Sequence, residues 1–274
     1  RGGSALSSAV SVAPAEPRPL AGAVGQLVAQ GGRSALRAVV LPALFVATVA
    51  WLVTARSSGS MSMGTAAFIG SWVVMMVAMM LPAVAPVVGL YALAARRNVV
   101  AAVPVFLGGY LVVWAASSVP AYAVSRVVSD PLMMGRPWVA RLTGGTLIAA
   151  AAYQLTPLKA ACLAHCRSPL SFFLARTRGL ARPRAAFAAG VGHGLYCLGC
   201  CWALMAVLVV LGGMQLGWAL ALALVISLEK LAPWGAVVAR GVAVGAAGLG
   251  IALLVAPGLL DHLVSMSTSM NTPM

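Results

Sequence analysis

The chain has 274 residues, of which 62% are hydrophobic and only 8% are charged. A soluble domain carries about 25% charged residues, so too few charges are present to cover a soluble surface, and lipid is the expected solvent. The net charge of +14 does not indicate nucleic-acid binding, because the basic residues lie between apolar runs and no nucleic-acid motif is present. The composition therefore predicts an all-α, polytopic transmembrane helical bundle that contacts the lipid bilayer and no nucleic acid.

The chain divides into a tail, a bundle and a second tail. We expect residues 1–37 to be a cytoplasmic tail that is disordered at its start and contains an interfacial helix over Leu20–Arg37. Residues 38–258 form the predicted bundle, and residues 259–274 form a Met-containing tail that we expect to be extracytoplasmic. A span needs about 20 apolar residues, so the runs predict about seven spans, within a range of about six to eight. The runs are roughly Ala38–Thr54, Ala66–Ala92, Val99–Val124, Trp138–Leu158, Ala185–Leu211, Leu216–Leu231 and Val237–Leu254.

The distribution of basic residues predicts the orientation of the bundle. With the N terminus in the cytoplasm, the inner segments hold fourteen of the 18 Lys and Arg residues, which agrees with the positive-inside rule. The outer segments then hold Arg56, Arg126, Arg136 and Arg141. This orientation also places the methionines before the second run and in the C-terminal tail on the outer side. They are Met61, Met63, Met266, Met270 and Met274.

The second run, SWVVMMVAMMLP, contains four methionines that we call the Met stripe. They are Met75, Met76, Met79 and Met80, and members four residues apart share a helix face. Methionine is also a flexible filler of apolar cores, so packing is the alternative interpretation. Thioethers are soft ligands that favour Cu(I), and the outer methionines are not core residues. We therefore interpret the Met stripe as a path for metal transfer.

Cysteine and histidine are concentrated at two places. One is CLAHCRSP, at the predicted inner end of the fourth run, and the other is GHGLYCLGCCWALM on the fifth run. The spacing puts each group on one helical face, and an antiparallel arrangement of the two runs would bring both groups together. We predict that these residues ligate a metal together with the Met stripe. They are Cys162, His165, Cys166, His193, Cys197, Cys200 and Cys201.

The chemistry of these ligands predicts the metal. Soft sulfur ligands favour Cu(I), and Cys and His together also suit zinc, so copper is the first expectation and zinc the second. Lys159 and Arg167 flank the first group, where we expect their charges to favour thiolates. The alternatives are that free cysteines only fill the core, or that Cys166 forms a disulfide with the fifth run. The cytoplasmic side disfavours a stable disulfide.

The other polar residues give little indication of catalysis. Glu229 is the acidic residue that we place at or near a span, where it is expected to pair with Lys230 or an arginine, or to anchor a helix end at the interface. The sequence contains no Walker loop, dinucleotide fingerprint or HExxH motif. No pair of carboxylates is placed for acid–base work. We therefore expect that the protein is not an enzyme.

The motifs WVVMMVAMMLP, CLAHCRSP and GHGLYCLGCCWALM, followed by LEK, resemble those of a bacterial family. That family is described as predicted metal-binding integral membrane proteins, domain of unknown function 2182. The resemblance covers about Met61–Trp234. It implies metal binding through the Cys and His positions and a place in the bacterial inner (plasma) membrane. It implies neither which metal is bound nor what the protein does with it.

Three functions agree with these features. The first is the handling of Cu(I), by transport or delivery, through the Met stripe and the Cys and His residues. The second is a non-catalytic accessory or assembly subunit of a larger membrane complex, such as a copper enzyme, whose other subunits would be its partners. The third is a membrane thiol oxidoreductase, because Cys197 and Cys200 have the spacing of a redox pair. We favour the first.

Overall fold

The computed structural model describes residues 41–56, 64–95, 99–167, 182–212 and 215–260. Within these ranges the regular structure is helical and contains no strand, which confirms the predicted all-α fold. The helices are α1 (Leu41–Arg56), α2 (Thr65–Ala95), α3 (Val99–Met133), α4 (Pro137–Gln154), α5 (Pro157–Arg167), α6 (Pro183–Val210), α7 (Leu216–Leu231) and α8 (Gly235–Val255).

Some sequence predictions concern residues outside the described ranges. They include the disordered tail, the interfacial helix at Leu20–Arg37 and most of the C-terminal tail. The outer methionines also lie there, as do the residues between α5 and α6 up to position 181. These predictions, and the division of the chain into two tails and a bundle, stay predictions.

Four helices are long and apolar enough to cross a membrane. These candidate spans are Thr65–Gly89, Ala101–Leu132, Pro183–Val210 and Gly235–Val255. Together α4 and α5 meet the same criteria as one broken span, so the described residues contain four or five candidates. The α7 helix has 16 residues, fewer than the roughly 20 that a hydrocarbon core requires, and α1 is also short. The number of about seven spans therefore stays a prediction.

The fourth apolar run is broken and does not continue as one straight helix. The α4 helix ends at Gln154, α5 begins at Pro157, and the two are bent by 67°. In a continuous helix the proline ring would clash with the carbonyl of Tyr153, and it would disfavour the helical conformation at Thr156. The motif CLAHCR therefore lies on a separate short helix, α5, and not at the end of a straight span as predicted.

The α6 helix is the centre of the packing, and it contacts α3, α4, α5 and α7. On another side, α2 packs against α3 and α7. The largest buried core contains residues of α2, α3, α5, α6 and α7. Because these helices share one core, the methionines of α2 and the cysteines of α5 and α6 are brought into the same part of the bundle.

Glycines on α3 and α6 allow these two helices to approach closely. A Cβ atom on Gly190 would overlap the backbone carbonyl of Phe106. A Cβ atom on Gly109 would overlap that of Phe187 in the same way. Helix α6, and with it the motif that contains most of the cysteines, is therefore held against α3 at backbone contact distance.

The regularly spaced glycines of α8 make no such contact within the described part of the chain. The sequence spacing predicts close packing at Gly241, Gly245 and Gly248, but a Cβ on any of these has no other atom within 4 Å. That prediction is wrong within the described part of the chain. The close contact of α8 is made instead at Gly250, where an added Cβ would lie 2.8 Å from the carbonyl oxygen of Gly144. The spacing of residues in the sequence shows which of them share a helix face. It does not show whether another helix packs against that face.

Candidate metal centre

Four cysteines from two helices meet in the core, and we call them the cysteine cluster. They are Cys166 of α5 and Cys197, Cys200 and Cys201 of α6, all free thiols with at most 3% of their surface exposed. The Sγ atoms of Cys166 and Cys200 are 3.9 Å apart. The thiols of Cys200 and Cys201 donate to the backbone carbonyl of Cys197, at 3.1 and 2.9 Å. The two sequence motifs therefore converge through their cysteines.

Cys197 has polar partners from two more helices. The ammonium of Lys230, on α7, donates to the Sγ of Cys197 at 3.0 Å. The hydroxyl of Tyr110, on α3, lies 3.1 Å from the same sulfur. Lys230 is only 4% exposed, and its ammonium also faces the Sδ of Met80 at 3.7 Å. Lys230 thus connects the cysteine cluster to the Met stripe, a role that the sequence analysis did not identify.

Glu229 pairs with Lys159. The expected partner was Lys230 or an arginine, so that prediction is wrong. The Nζ of Lys159 lies 2.6 Å from the Oε2 of Glu229, and both side chains are 2% exposed. The amide of Gln154 donates to the other carboxylate oxygen at 2.9 Å. The carboxylate is therefore buried inside the bundle, with both oxygens bonded to side chains of α4 and α5. Lys159 is held by this network, so Lys230 is the lysine that contacts the cysteines.

Arg167 joins the end of α5 to the end of α7. Its guanidinium donates to the backbone carbonyls of Glu229 and Ala232, at 3.0 and 2.6 Å. The last carbonyls of a helix have no partner within the helix, so the arginine satisfies groups that would otherwise need water. The arginine that was expected to favour thiolates thus has a structural contact. Because Cys166 precedes it, this contact also fixes one thiol of the cluster relative to α7.

The Met stripe is completely enclosed. Each of its four side chains, Met75, Met76, Met79 and Met80, is at most 1% exposed and lies in the same apolar core as the cysteine cluster. Met80 is the member whose sulfur faces Lys230. The stripe therefore lies in the same buried core as the cysteines, and Met80 shares Lys230 as a neighbour with Cys197.

Two predicted ligands on α5, His165 and Cys162, lie outside the cysteine cluster. His165 is exposed, and its ring stacks on Tyr196 with 4.3 Å between the ring centroids. Consecutive helical residues point about 100° apart, so the burial of Cys166 directs His165 outward. Cys162 is half-buried, and its sulfur lies beside Gly199, where it would be 2.9 Å from an added Cβ. Both lie on the side of α5 near α6 and closer to the surface than Cys166.

The predicted ligand His193 is buried one turn before Cys197. Its ring stacks on Tyr110, with 6.0 Å between centroids, and is tilted against Phe106 at 6.2 Å. The imidazole is therefore held between the aromatic rings of α3. Tyr110 contacts both His193 and Cys197. This tyrosine lies beside two predicted ligands, but no pattern in the sequence indicates it.

The described residues contain no group of three or more His, Cys, Asp or Glu side chains arranged to hold a metal ion. They do contain the pair of sulfurs at 3.9 Å, Cys166 and Cys200. Metal–thiolate bonds of about 2.3 Å, the value for zinc, put two sulfurs on one ion at most about 4.6 Å apart. At that bond length a separation of 3.9 Å corresponds to an angle of about 116° at the ion, so the pair is spaced to supply two of the ligands of one soft ion.

Comparison with known proteins supplies the family. No curated protein and no solved structure matches the chain significantly. One family model, PpoB2, matches residues 69–253 of the 274 and carries the description "Copper chaperone". The matched range includes the Met stripe, both Cys and His motifs and Lys230. The motif resemblance left the metal open, and this match connects the chain with copper. The chain belongs to the PpoB2 copper chaperone family.

Proposed function

We propose that this protein is a membrane-embedded Cu(I) chaperone, which binds the ion between Cys166 and Cys200 and passes it along the Met stripe. One observation carries the proposal. Two free thiols from different helices lie 3.9 Å apart, in a core that also buries four methionines. Membership of a copper chaperone family supports copper as the ion.

The type of ligand favours Cu(I) over zinc. Soft thiolate and thioether ligands suit Cu(I), and two sulfurs with a neighbouring thioether match a low coordination number. Zinc in structural sites is almost always bound by four ligands, whereas the described residues offer no group of three. We therefore expect zinc to bind this site more weakly than Cu(I). The burial of the cysteine cluster also keeps bulk water away from the ion.

The Met stripe supplies the next ligands for a transferred ion. Thioethers are neutral, so they bind Cu(I) without losing a proton, and they release it more readily than thiolates. Met80 lies beside Lys230 at the cluster, and Met76 and Met75 follow about one turn further along α2. The stripe lies within the candidate membrane span Thr65–Gly89 of this helix. We infer a stepwise exchange of the ion between thiolates and thioethers.

The proposed location is the bacterial inner membrane, with the N terminus in the cytoplasm, because that orientation agrees with the distribution of Lys and Arg. The ion is carried without chemical conversion, so no enzymatic step is part of the proposal. The receiver is a copper protein at or in the membrane, and it is the partner that this function requires.

The test is Cu(I) binding by the full chain, purified in mild detergent under anaerobic, reducing conditions and titrated against a competing Cu(I) chelator. We expect Cys166→Ser and Cys200→Ser each to weaken binding by at least about tenfold, a step of ~1.4 kcal/mol. The control is Ala203→Ser, which adds the same hydroxyl at a buried position of α6 outside the cysteine cluster. Wild-type affinity in a variant lacking all five cysteines would contradict the ligand assignment.

A second candidate function, thiol oxidoreduction, is favoured by the same short distance between Cys166 and Cys200. The two functions differ in what leaves the protein. A chaperone loaded with Cu(I) in nanodiscs passes copper to an acceptor and keeps its thiols reduced. An oxidoreductase forms a mixed disulfide with its substrate, which a Cys→Ser variant of the resolving thiol would trap. Trapped mixed disulfides in the absence of copper transfer would replace the chaperone proposal.

A further inference from the structure

Cys162 and His165 form the part of α5 that lies between the surface and the buried cysteine cluster. Positions three and four residues apart are neighbours on a helix, so Cys162 has both His165 and Cys166 beside it, one turn further along α5. The imidazole of His165 is exposed, Cys162 is half-buried, and Cys166 is only 3% exposed. Exposure therefore falls in steps from a nitrogen ligand at the surface to a thiol of the buried pair.

The imidazole of His165 is fixed in orientation and in tautomer. Its ring lies nearly parallel to that of Tyr196 on α6, with 4.3 Å between centroids and 6° between the planes. Its Nδ1 lies 2.9 Å from the backbone carbonyl of Ala161. A carbonyl can only accept, so Nδ1 carries the hydrogen, and Nε2 of the neutral ring keeps its lone pair. Histidines that ligate metals typically donate their other ring nitrogen in this way, and no described residue bonds to Nε2.

Cys162 packs against α6 where that helix has no side chain. A Cβ atom on Gly199 would lie 2.9 Å from the sulfur of Cys162. Because Gly199 lacks this atom, the sulfur lies at the backbone of α6 directly before Cys200, one thiol of the buried pair. The contact of His165 with Tyr196 follows the same antiparallel register, since three residues along α5 match three along α6. Cys162 is therefore next to both helices that supply the buried pair.

The buried pair itself is closed to a carrier protein, because Cys166 and Cys200 are at most 3% exposed. We propose that Cys162 and His165 form an exchange site, at which Cu(I) enters or leaves this pair. The inference rests on the proposed function, because it requires that the pair holds the ion. Thiolate and imidazole both suit copper, and a site with two ligands leaves a position for a thiolate of an incoming Cu(I) carrier.

The transfer is an exchange of ligands without a change in oxidation state. A bond from the ion to Cys162 forms as the bond to Cys166 breaks, and the ion remains Cu(I) throughout. Cys162 loses its thiol proton when it binds the ion, and Cys166 gains one when the ion leaves it, so the step is balanced. The neutral ring of His165 contributes only the lone pair of Nε2. A carrier thiolate then replaces these two ligands at the surface.

The experiment separates the rate of copper exchange from the affinity for copper. The full chain in detergent is loaded with Cu(I) under anaerobic, reducing conditions and mixed rapidly with a large, polar Cu(I) chelator. The variants are Cys162→Ser, His165→Gln and His165→Cys, the last of which keeps a soft ligand at the exposed position. The matched control is Ala160→Ser, which adds a hydroxyl at another exposed position of α5. Equilibrium affinity is measured on the same samples.

We expect transfer to slow at least about tenfold in Cys162→Ser and in His165→Gln, while equilibrium affinity stays within about threefold of wild type. His165→Cys and the control should transfer within about threefold of the wild-type rate. A wild-type rate in Cys162→Ser or in His165→Gln overturns the inference, as does equal slowing in His165→Cys. A loss of affinity as large as that in Cys166→Ser also overturns it, because the residue would then belong to the buried site. His165 is exposed, so its variants decide the outcome if Cys162→Ser does not fold.

Failure of this inference can be told apart from failure of the proposed function. Cys166→Ser and Cys200→Ser are measured alongside the other variants. An affinity that depends on these two thiols, with a transfer rate that ignores Cys162 and His165, removes only the exchange site. An affinity that ignores Cys166 and Cys200 removes the proposed function, and the inference falls with it.

Discussion

Glu229 and Lys230 are consecutive residues of α7, yet their charged groups serve different sides of the helix. The carboxylate of Glu229 pairs with Lys159 on α5 at 2.6 Å, whereas the ammonium of Lys230 reaches Cys197 on α6 at 3.0 Å. A rotation of about 100° per residue separates the two directions. One residue therefore braces α5 against α7, and the next brings a positive charge to the cysteine cluster.

The Glu229–Lys159 pair gives a stability prediction. Glu229→Gln should lower the free energy of unfolding by about 3–5 kcal/mol, because it leaves the lysine buried without a counter-charge. Replacing both partners, with Lys159→Met and Glu229→Leu, should cost less than the single change, since neither charge then remains buried. The free energy of unfolding of the single and the double variant is measured in detergent.

The control for this prediction is Asp130→Asn, which neutralises an exposed carboxylate on α3. A surface change of this kind should stay within about 0.5 kcal/mol of wild type. If the double variant is less stable than Glu229→Gln, the pair stabilises the fold more than a buried ion pair normally does, and our interpretation of its energetics is wrong.

The distance between Cys166 and Cys200 gives a redox prediction. Mild oxidation of the metal-free chain should form one disulfide between them, because sulfurs 3.9 Å apart need to move by only about 2 Å to reach the bond length. Bound Cu(I) should protect the pair, since both thiols are then occupied. Mass spectrometry of non-reduced peptides identifies the bridge. A bridge through Cys162 instead, or no effect of copper, would count against the two-sulfur site.

The contact between α3 and α6 gives a packing prediction. Gly190→Ala should destabilise the fold by about 1–3 kcal/mol or more, because the new methyl group meets the backbone of Phe106 and the helices have to separate. Gly108→Ala is the matched control, since nothing lies within 4 Å of a Cβ there. Thermal unfolding midpoints compare the two. Equal effects at both glycines would mean that α3 and α6 are not in backbone contact.

Met80 gives a prediction that separates packing from metal handling. Met80→Leu conserves volume and should cost under about 1.5 kcal/mol of stability. It should nevertheless weaken Cu(I) affinity or slow its transfer by about threefold or more, a smaller loss than the tenfold step expected for a thiolate. The measurements are chelator competition and stopped-flow transfer to an acceptor. The control is Met134→Leu, in the exposed turn after α3. Equal Cu(I) affinity and equal transfer rate in the two variants would mean that Met80 only packs the core.

The amino-acid sequence by itself determines the helical class and the types of ligand. High hydropathy and scarce charge are properties of the composition, so the all-α architecture follows from them without any long-range contact. The spacing of Cys197, Cys200 and Cys201 is likewise local, because three and four residues return to one helix face. These predictions agree with the buried positions of the three cysteines.

Only the tertiary structure decides which of those donors meet and which charge accompanies them. The partner of Glu229 is 70 positions away in the chain, and no local pattern distinguishes Lys159 from Lys230. His165 follows the spacing of a ligand but is exposed, because the bend at Pro157 sets the orientation of α5 and Cys166 takes the inner face. Local periodicity fixes how side chains are arranged around one helix, whereas a metal site depends on how several helices are rotated and packed against each other.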